Sequence, residues 1–227
     1  MRAGDFVEVD YVGRIKDTRE IFDLTKEDIA KKENVYNPKV TYEPVVLIIG
    51  ADFIIKGLDE ALRDTKIGEK KKVDVLPEKA FGERKEELVR TIPLAKFKEQ
   101  NLDPAPGAVV NIGNLRGRIV SVGGGRVKVD FNHPLAGKTL EYEIEVKLLV
   151  KAQNKKVKSI VKYFTGIADV DVVCKNKEAE ITIKKDVDVV RPVKKMVSDA
   201  VIKWCSIDKV KFVEVFEKAE NKPKTEK

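Results

Sequence analysis

Apolar and polar residues alternate from Phe6 to Ile15, with Phe6, Val7, Val9, Tyr11 and Val12 as the apolar set. This period of two predicts a strand. The charged stretch that follows predicts a turn leading to Phe22-Asp23. Thr25 is placed to cap a short helix over Lys26 to Lys32, with Glu27 and Asp28 in its first turn, where acids suit the helix dipole. Asn37-Pro38 and Glu43-Pro44 end that excursion, since the residue before proline avoids the helical region. Val45 to Ile49 reads as a compact strand closed by Gly50. Ile54, Ile55, Leu58, Ala61 and Leu62 then recur at helical spacing around Gly57, and Gly68 is the expected left-handed stop. Lys70 to Leu76 alternates again and stops at Pro77.

The texture changes at Arg84. Charged residues, Leu88-Val89 and Ile92-Pro93 lead to Pro104 and Pro106, and three strand-like pieces follow over 109–112, 115–122 and 126–131. Gly123-Gly124-Gly125 predicts a hairpin turn between the last two. Lys138 to Val150 alternates as one long strand. Lys151 to Lys156 reads as a polar linker. Beyond it come a short amphipathic helix (Val157, Ile160, Val161, Phe164) ended by Gly166, and a hairpin around Lys175-Asn176-Lys177. A helix begun by Pro192 follows, with Val197, Val201 and Trp204 on one face, and the last strand is Val210 to Phe216. That order makes a small α+β unit. The lysine-rich end after Glu217 is expected to fray.

Composition narrows the classes. The 227 residues suit two or three compact units, and 42% hydrophobic with 37% charged content fits a folded protein. Dense charge of both signs suits a surface of ion pairs, as in thermophilic proteins. Residues 151–227 carry 19 Lys and Arg against 12 Asp and Glu. These bases alternate with acids and form no long stripe, so a solvated surface is favoured over a nucleic-acid site. No apolar run approaches the roughly 18 residues needed to span a bilayer, and no signal-peptide pattern opens the chain. Cys174 and Cys205, far apart in apolar patterns, read as reduced buried thiols, which points to the cytoplasm. With His133 the single histidine, no metal cluster is expected.

Several motifs stand in a telling order. Gly4-Asp5, Val9-Asp10-Tyr11-Val12-Gly13 and Phe22-Asp23 come first. The segment "GADFIIKGLDEALRDTKIGEKKKV" from Gly50, then Pro77-Glu78-Lys79-Ala80-Phe81-Gly82, and finally Leu140, Tyr142 and Ile144 follow. In this order they resemble the FKBP-type peptidyl-prolyl cis/trans isomerases over residues 1–83 and 137–150. Residues 84–136, with Leu88-Val89-Arg90, Ile92-Pro93 and Phe131-Asn132-His133-Pro134-Leu135-Ala136-Gly137, resemble the insert-in-flap domain of SlyD-like members. With an extra unit at 151–227, the chain resembles the long-form archaeal branch. The resemblance implies an α+β fold: an antiparallel half-barrel wrapped on a short helix, an inserted mostly-β flap domain and a C-terminal α+β domain. It also implies dimerisation through residues 151–227, no cofactor, and unfolded or proline-containing polypeptides as partners.

The same resemblance carries Tyr11, Phe22, Asp23, Ile54, Ile55, Leu58, Phe81 and Tyr142 into the proline pocket, with Val45 as a further wall. Leu58 stands where the family often has Trp, and Phe81 where it often has Tyr, so one hydroxyl is missing. The residue types suit the task. An X-Pro bond crosses a barrier of about 18–20 kcal/mol because of its partial double-bond character. Its twisted transition state is less dipolar, and apolar walls favour it without nucleophile or metal. The Ile55 N–H is expected to orient a substrate carbonyl, and Asp23 with Tyr11 to form the polar edge. Taken singly, Tyr11, Phe22 and Tyr142 on alternating strands read more often as core than as ligand, Ile54 and Leu58 as one face of a helix, and Asp23 as a turn residue.

In the insert, Leu88, Val89, Ile92, Leu94, Phe97, Leu115 and Phe131 either line an apolar groove for client chains or fill the insert's own core. Trp204 and Phe212 read as core or as a subunit contact. A holdase with little isomerase activity is the alternative function, and a nucleic-acid binder a more remote one, since no aromatic platforms sit among clustered bases.

Overall fold

Strand β1 (Phe6–Ile15) organises the first sheet because both of its edges are used. The computed structural model describes residues 1–183, 187 and 189–215. One edge of β1 pairs with β9 (Leu140–Leu149) along most of its length. The other is shared: β3 (Val45–Ile48) takes Phe6 to Val9, and β2 (Ile21–Leu24) takes Val12 to Arg14. Strand β4 (Lys70–Val75) closes on the far edge of β9. All four pairings are antiparallel. Val7, Val9 and Ile15 share a core with Leu140, Ile144 and Val146 beneath helix α2 (Lys56–Arg63), which buries Leu58, Ala61 and Leu62. This is the expected half-barrel on a short helix.

Three local expectations are corrected here. Helix α2 ends at Arg63, and Gly68 (φ +81°) instead turns the chain into β4, its N–H donating to the Val146 carbonyl at 2.8 Å. Ile54 and Ile55 precede the helix, with Ile55 extended at φ −60°, ψ 142°. Their apolar spacing mimics a helical turn because they line a cleft. Helix α1 (Glu27–Lys32) has no side-chain cap. The Thr25 hydroxyl is already committed, donating to Asp10 Oδ1 at 2.8 Å and accepting the Tyr11 N–H at 2.9 Å.

The insert folds as a second sheet, ordered β5 (Val89–Pro93), β8 (Arg126–Asp130), β7 (Leu115–Gly123), β6 (Val109–Ile112), with helix α3 (Leu94–Lys98) packed on it. Its core is Phe97, Ile119, Val127 and Val129. The hairpin at Gly123 to Gly125 forms as expected, with Gly123 opposite Arg126. Strand β5 and helix α3 left no periodic signal, since each is too short to show one.

The third sheet is β10 (Val170–Lys175), β11 (Glu178–Ile183) and β12 (Lys209–Val213), covered by α4 (Gln153–Thr165) and α5 (Arg191–Cys205). The expected linker is largely helical, because α4 begins at Gln153. Gly166 caps it in the left-handed region at φ +70°. Strand β12 ends at Val213; the expected extension to Phe216 and the end after Glu217 lie outside the described residues. Trp204 and Phe212 pack against the core of this unit. That core also takes Phe6, Ile48 and Val150 from the first sheet's strands and its exit, so the C-terminal unit is fused to the half-barrel. Both cysteines are free thiols, and burial pushes Cys205 up to about 12 despite the opposing effect of Lys156.

Candidate active site

A cleft of about 990 Å³ opens on the half-barrel. Of the eight residues expected in the pocket, seven line it: Tyr11, Asp23, Ile54, Ile55, Leu58, Phe81 and Tyr142. Val45 lines it as well. Phe22 does not. Its ring lies on the bare backbone of Gly13 and meets Tyr142 edge-on at 5.6 Å, so it supports the cleft wall from behind. The register explains the meeting. Gly13 stands opposite Tyr142 on β9 and Asp23 on β2, and the β1–β2 register shifts just after it. This leaves Phe22 between the paired Ile21 and Asp23, with its ring free to lie on the glycine.

Tyr11 and Tyr142 form the aromatic floor, with centroids 6.0 Å apart. The Tyr11 hydroxyl donates to Asp23 Oδ2 at 2.5 Å. Burial, then the charge and hydrogen bond of Asp23, hold the Tyr11 phenol far above its ordinary range; burial and Asp23 do the same to Tyr142. Both phenols therefore stay protonated donors. Tyr11 spends its proton on Asp23, whereas no hydrogen bond engages the Tyr142 hydroxyl among the described residues. The Ile55 N–H is likewise uncommitted there, while its carbonyl accepts from Leu58 and Asp59. Two free donors thus open onto apolar walls.

Three supports lie within the quoted motifs but were not among the residues expected in the pocket. The buried Asp59 carboxylate accepts the Gly50 N–H at 2.7 Å and pairs with Arg63 at 2.7 Å, which ties the loop before Ile54 to helix α2. The spacing of four between Asp59 and Arg63 was the available hint. The His133 ring stacks on Phe81 at 4.1 Å and 4°, which joins the base of the insert to the cleft rim. Nearby, the Asn132 side chain accepts the Lys85 N–H at 2.8 Å and donates to the Lys85 carbonyl at 2.9 Å, clamping the two crossing segments. Asp130 beside it is held below its ordinary range. Burial raises it, but hydrogen bonds from Asn132 and Arg84 outweigh that.

The insert candidates do not form one group. Phe97 is 2% exposed and belongs to the insert's core, with Ile92, Leu94 and Phe131 half-buried against it. Leu88 and Val89 are half-buried outside that cluster, and Leu115 is 48% exposed. Among the described residues no helix is long and apolar enough to cross a membrane.

Known proteins share these features. A family model described as the IF domain of FKBP26 matches residues 90–135. A short-type peptidyl-prolyl cis-trans isomerase of Methanocaldococcus jannaschii is 34% identical over 155 residues, covering 68% of this chain and 98% of that protein. A probable FKBP-type 16 kDa isomerase of Pseudomonas fluorescens is 35% identical over 108 residues, 45% of this chain and 71% of its own. The FKBP-type isomerase SlyD of Helicobacter pylori is 32% identical over 116 residues, 50% of this chain and 63% of its own. Sheet, insert and likeness agree: the chain belongs to the FKBP-type peptidyl-prolyl cis/trans isomerases that carry an insert-in-flap domain, and its substrates are proline-containing polypeptides.

Proposed function

We propose that the cleft is the prolyl pocket. Tyr11, Ile54, Leu58, Phe81 and Tyr142 enclose the pyrrolidine ring, Phe22 steadies Tyr142, and Asp23 fixes Tyr11. The observation that carries this is the pair of uncommitted donors, Ile55 N–H and Tyr142 hydroxyl, opening onto apolar walls. Ile55 orients a carbonyl of the bound peptide. The apolar walls then favour the twisted, less dipolar amide over the planar one, which is the differential binding that catalysis requires. Phe81→Ser and Tyr142→Phe are expected to lower kcat/KM on a short prolyl peptide, the latter about fivefold, the worth of one hydrogen bond. Wild-type turnover in both variants would remove the cleft from the mechanism.

The reading divides the chain into an isomerase unit (1–83 and 137–150), a client-holding insert (84–136) and a C-terminal unit (151–227). Exposed Val109, Leu115 and Val120 and the unpaired outer edge of β6 support client holding, because extended chains add to open strand edges. A weak second site raises the local concentration of client prolines. Gly137 N–H donates to the Gly82 carbonyl at 2.8 Å, so removing residues 84–136 leaves ends that already meet. That deletion is expected to keep most short-peptide turnover and to slow the proline-limited refolding of an unfolded protein. Equal loss on both substrates would remove the holding role. Self-association through 151–227 is supported by exposed Val173, Met196 and Ile202, and sedimentation of the full chain tests it. The two free thiols fit a reducing cytoplasmic setting.

A further inference from the structure

The cleft does not stop at the prolyl pocket. Its volume of about 990 Å³ lies at the top of the roughly 300–1,000 Å³ range that encloses a whole drug-sized molecule, far more than one pyrrolidine ring fills. The remainder runs past β3 to the C-terminal unit, where Lys155, Lys158, Ser159, Lys162 and Tyr163 of α4 form its far wall. These positions fall at i, i+3, i+4, i+7 and i+8, one face of the helix. Val157, Ile160 and Val161 fill the core on the other.

Two features make that wall more than a boundary. Phe53, immediately before Ile54 and Ile55, stacks on Tyr163 at 4.4 Å and 12° and meets Phe164 edge-on at 5.5 Å. Tyr163 is half exposed, so the stack offers a flat apolar platform beside the free Ile55 donor. Lys155 pairs with Glu8 and Lys162 with Glu43, which holds α4 against β1 and the approach to β3. Lys158, between them and half-buried, has no carboxylate partner among the described residues; Asp52 also lines the cleft but forms no ion pair with it.

We propose that α4 supplies a substrate subsite, which takes the polypeptide flanking the proline. The Phe53–Tyr163 stack receives an apolar or aromatic side chain, and the Lys158 ammonium receives a carboxylate side chain of the same client. The C-terminal unit is thereby part of the active-site cleft and sets its specificity. This rests on the prolyl-pocket reading, because the subsite is continuous with that pocket.

The test uses the full chain and two prolyl peptide sets. One is a tetrapeptide that fills only the prolyl pocket. The other is a series of longer peptides with Phe and one of Glu, Gln or Lys at successive distances from the proline, on either side. For the wild type, the long-to-short ratio of kcat/KM is expected to be highest with Phe plus Glu at one distance. Lys158→Glu is expected to reverse the preference from Glu to Lys peptides, each arm shifting up to about fivefold, the factor of one partly exposed ion pair. Lys158→Gln is expected to level it. Tyr163→Ala is expected to lower the ratio for Phe peptides, and peptide fluorescence anisotropy reads the same order without turnover. An unchanged charge preference in both Lys158 variants, with peptide binding intact, overturns the subsite. Loss of tetrapeptide turnover in the wild type would instead overturn the prolyl-pocket reading, and anisotropy would still decide the subsite.

Discussion

Gly13 shows how much one missing Cβ decides. Its backbone needs no special conformation, yet an added Cβ would lie 2.7 Å from Phe22 Cζ. Gly13→Ala is therefore expected to push the Phe22 ring away, release the Tyr142 edge and cost about 1–3 kcal/mol through overpacking. Combining it with Phe22→Leu should recover stability in denaturant unfolding without recovering full turnover; no loss in the single variant would disprove the contact. The two phenols make a second prediction. Tyr11 and Tyr142 are raised above the ordinary value of 10.0, so the folded state holds their protons where the unfolded chain has released them. Their contribution to stability is complete below pH 10 and is lost as pH climbs beyond it. Urea unfolding from pH 8 to 11 should show that decline, with a shallower slope in Tyr142→Phe. Motif order named eight residues for the pocket, of which seven line the cleft while Phe22 stands behind Tyr142, because no linear pattern tells which ring a glycine will admit.

Among elements, the approach of α2 to β4 depends on Gly57. An added Cβ there would lie 2.4 Å from Val75 Cγ1, a buried branched side chain with little room to yield. Replacing a helical glycine by alanine normally gains roughly 0.5–1 kcal/mol from propensity. Here overpacking of about 1–3 kcal/mol opposes it, so Gly57→Ala is expected to be net destabilising, read by the unfolding midpoint. A rise in midpoint would show that the helix simply shifts. On its outer face the same sheet is held by cross-strand ion pairs, with Glu141 between Arg19 at 2.7 Å and Lys72 at 3.1 Å, and Glu143 reached by Arg14 at 3.3 Å. Strands β4 and β9 were readable because their inward positions alternate, whereas β1 was readable from its apolar content, since it is buried on both faces. The start of α4 was misread as linker because polar residues open a helix as readily as they form a loop.

For the whole molecule, the shared core matters most. Phe6 and Ile48 come from the half-barrel's strands but are buried among Val157, Ile160, Ile181 and Val201. A chain ending at Val150 would uncover both, at about 1.5–3 kcal/mol each. We expect the 1–150 fragment to unfold at a lower denaturant concentration than the isomerase unit within the full chain. Equal midpoints would mean that the two units are energetically independent. The truncation also removes the far wall of the cleft, so its long-to-short peptide ratio should fall with that of Tyr163→Ala.

Local alternation, glycine and proline punctuation and the linear order of motifs were enough to determine the strands of the half-barrel, the inserted unit and the isomerase chemistry. Each of these is written within a few residues of chain. The ends of α2, the support of Phe22 by Gly13, the His133–Phe81 stack and the meeting of α4 with β3 were decided only by tertiary structure. These depend on distances between residues far apart in sequence, where packing, and not local preference, selects the partner.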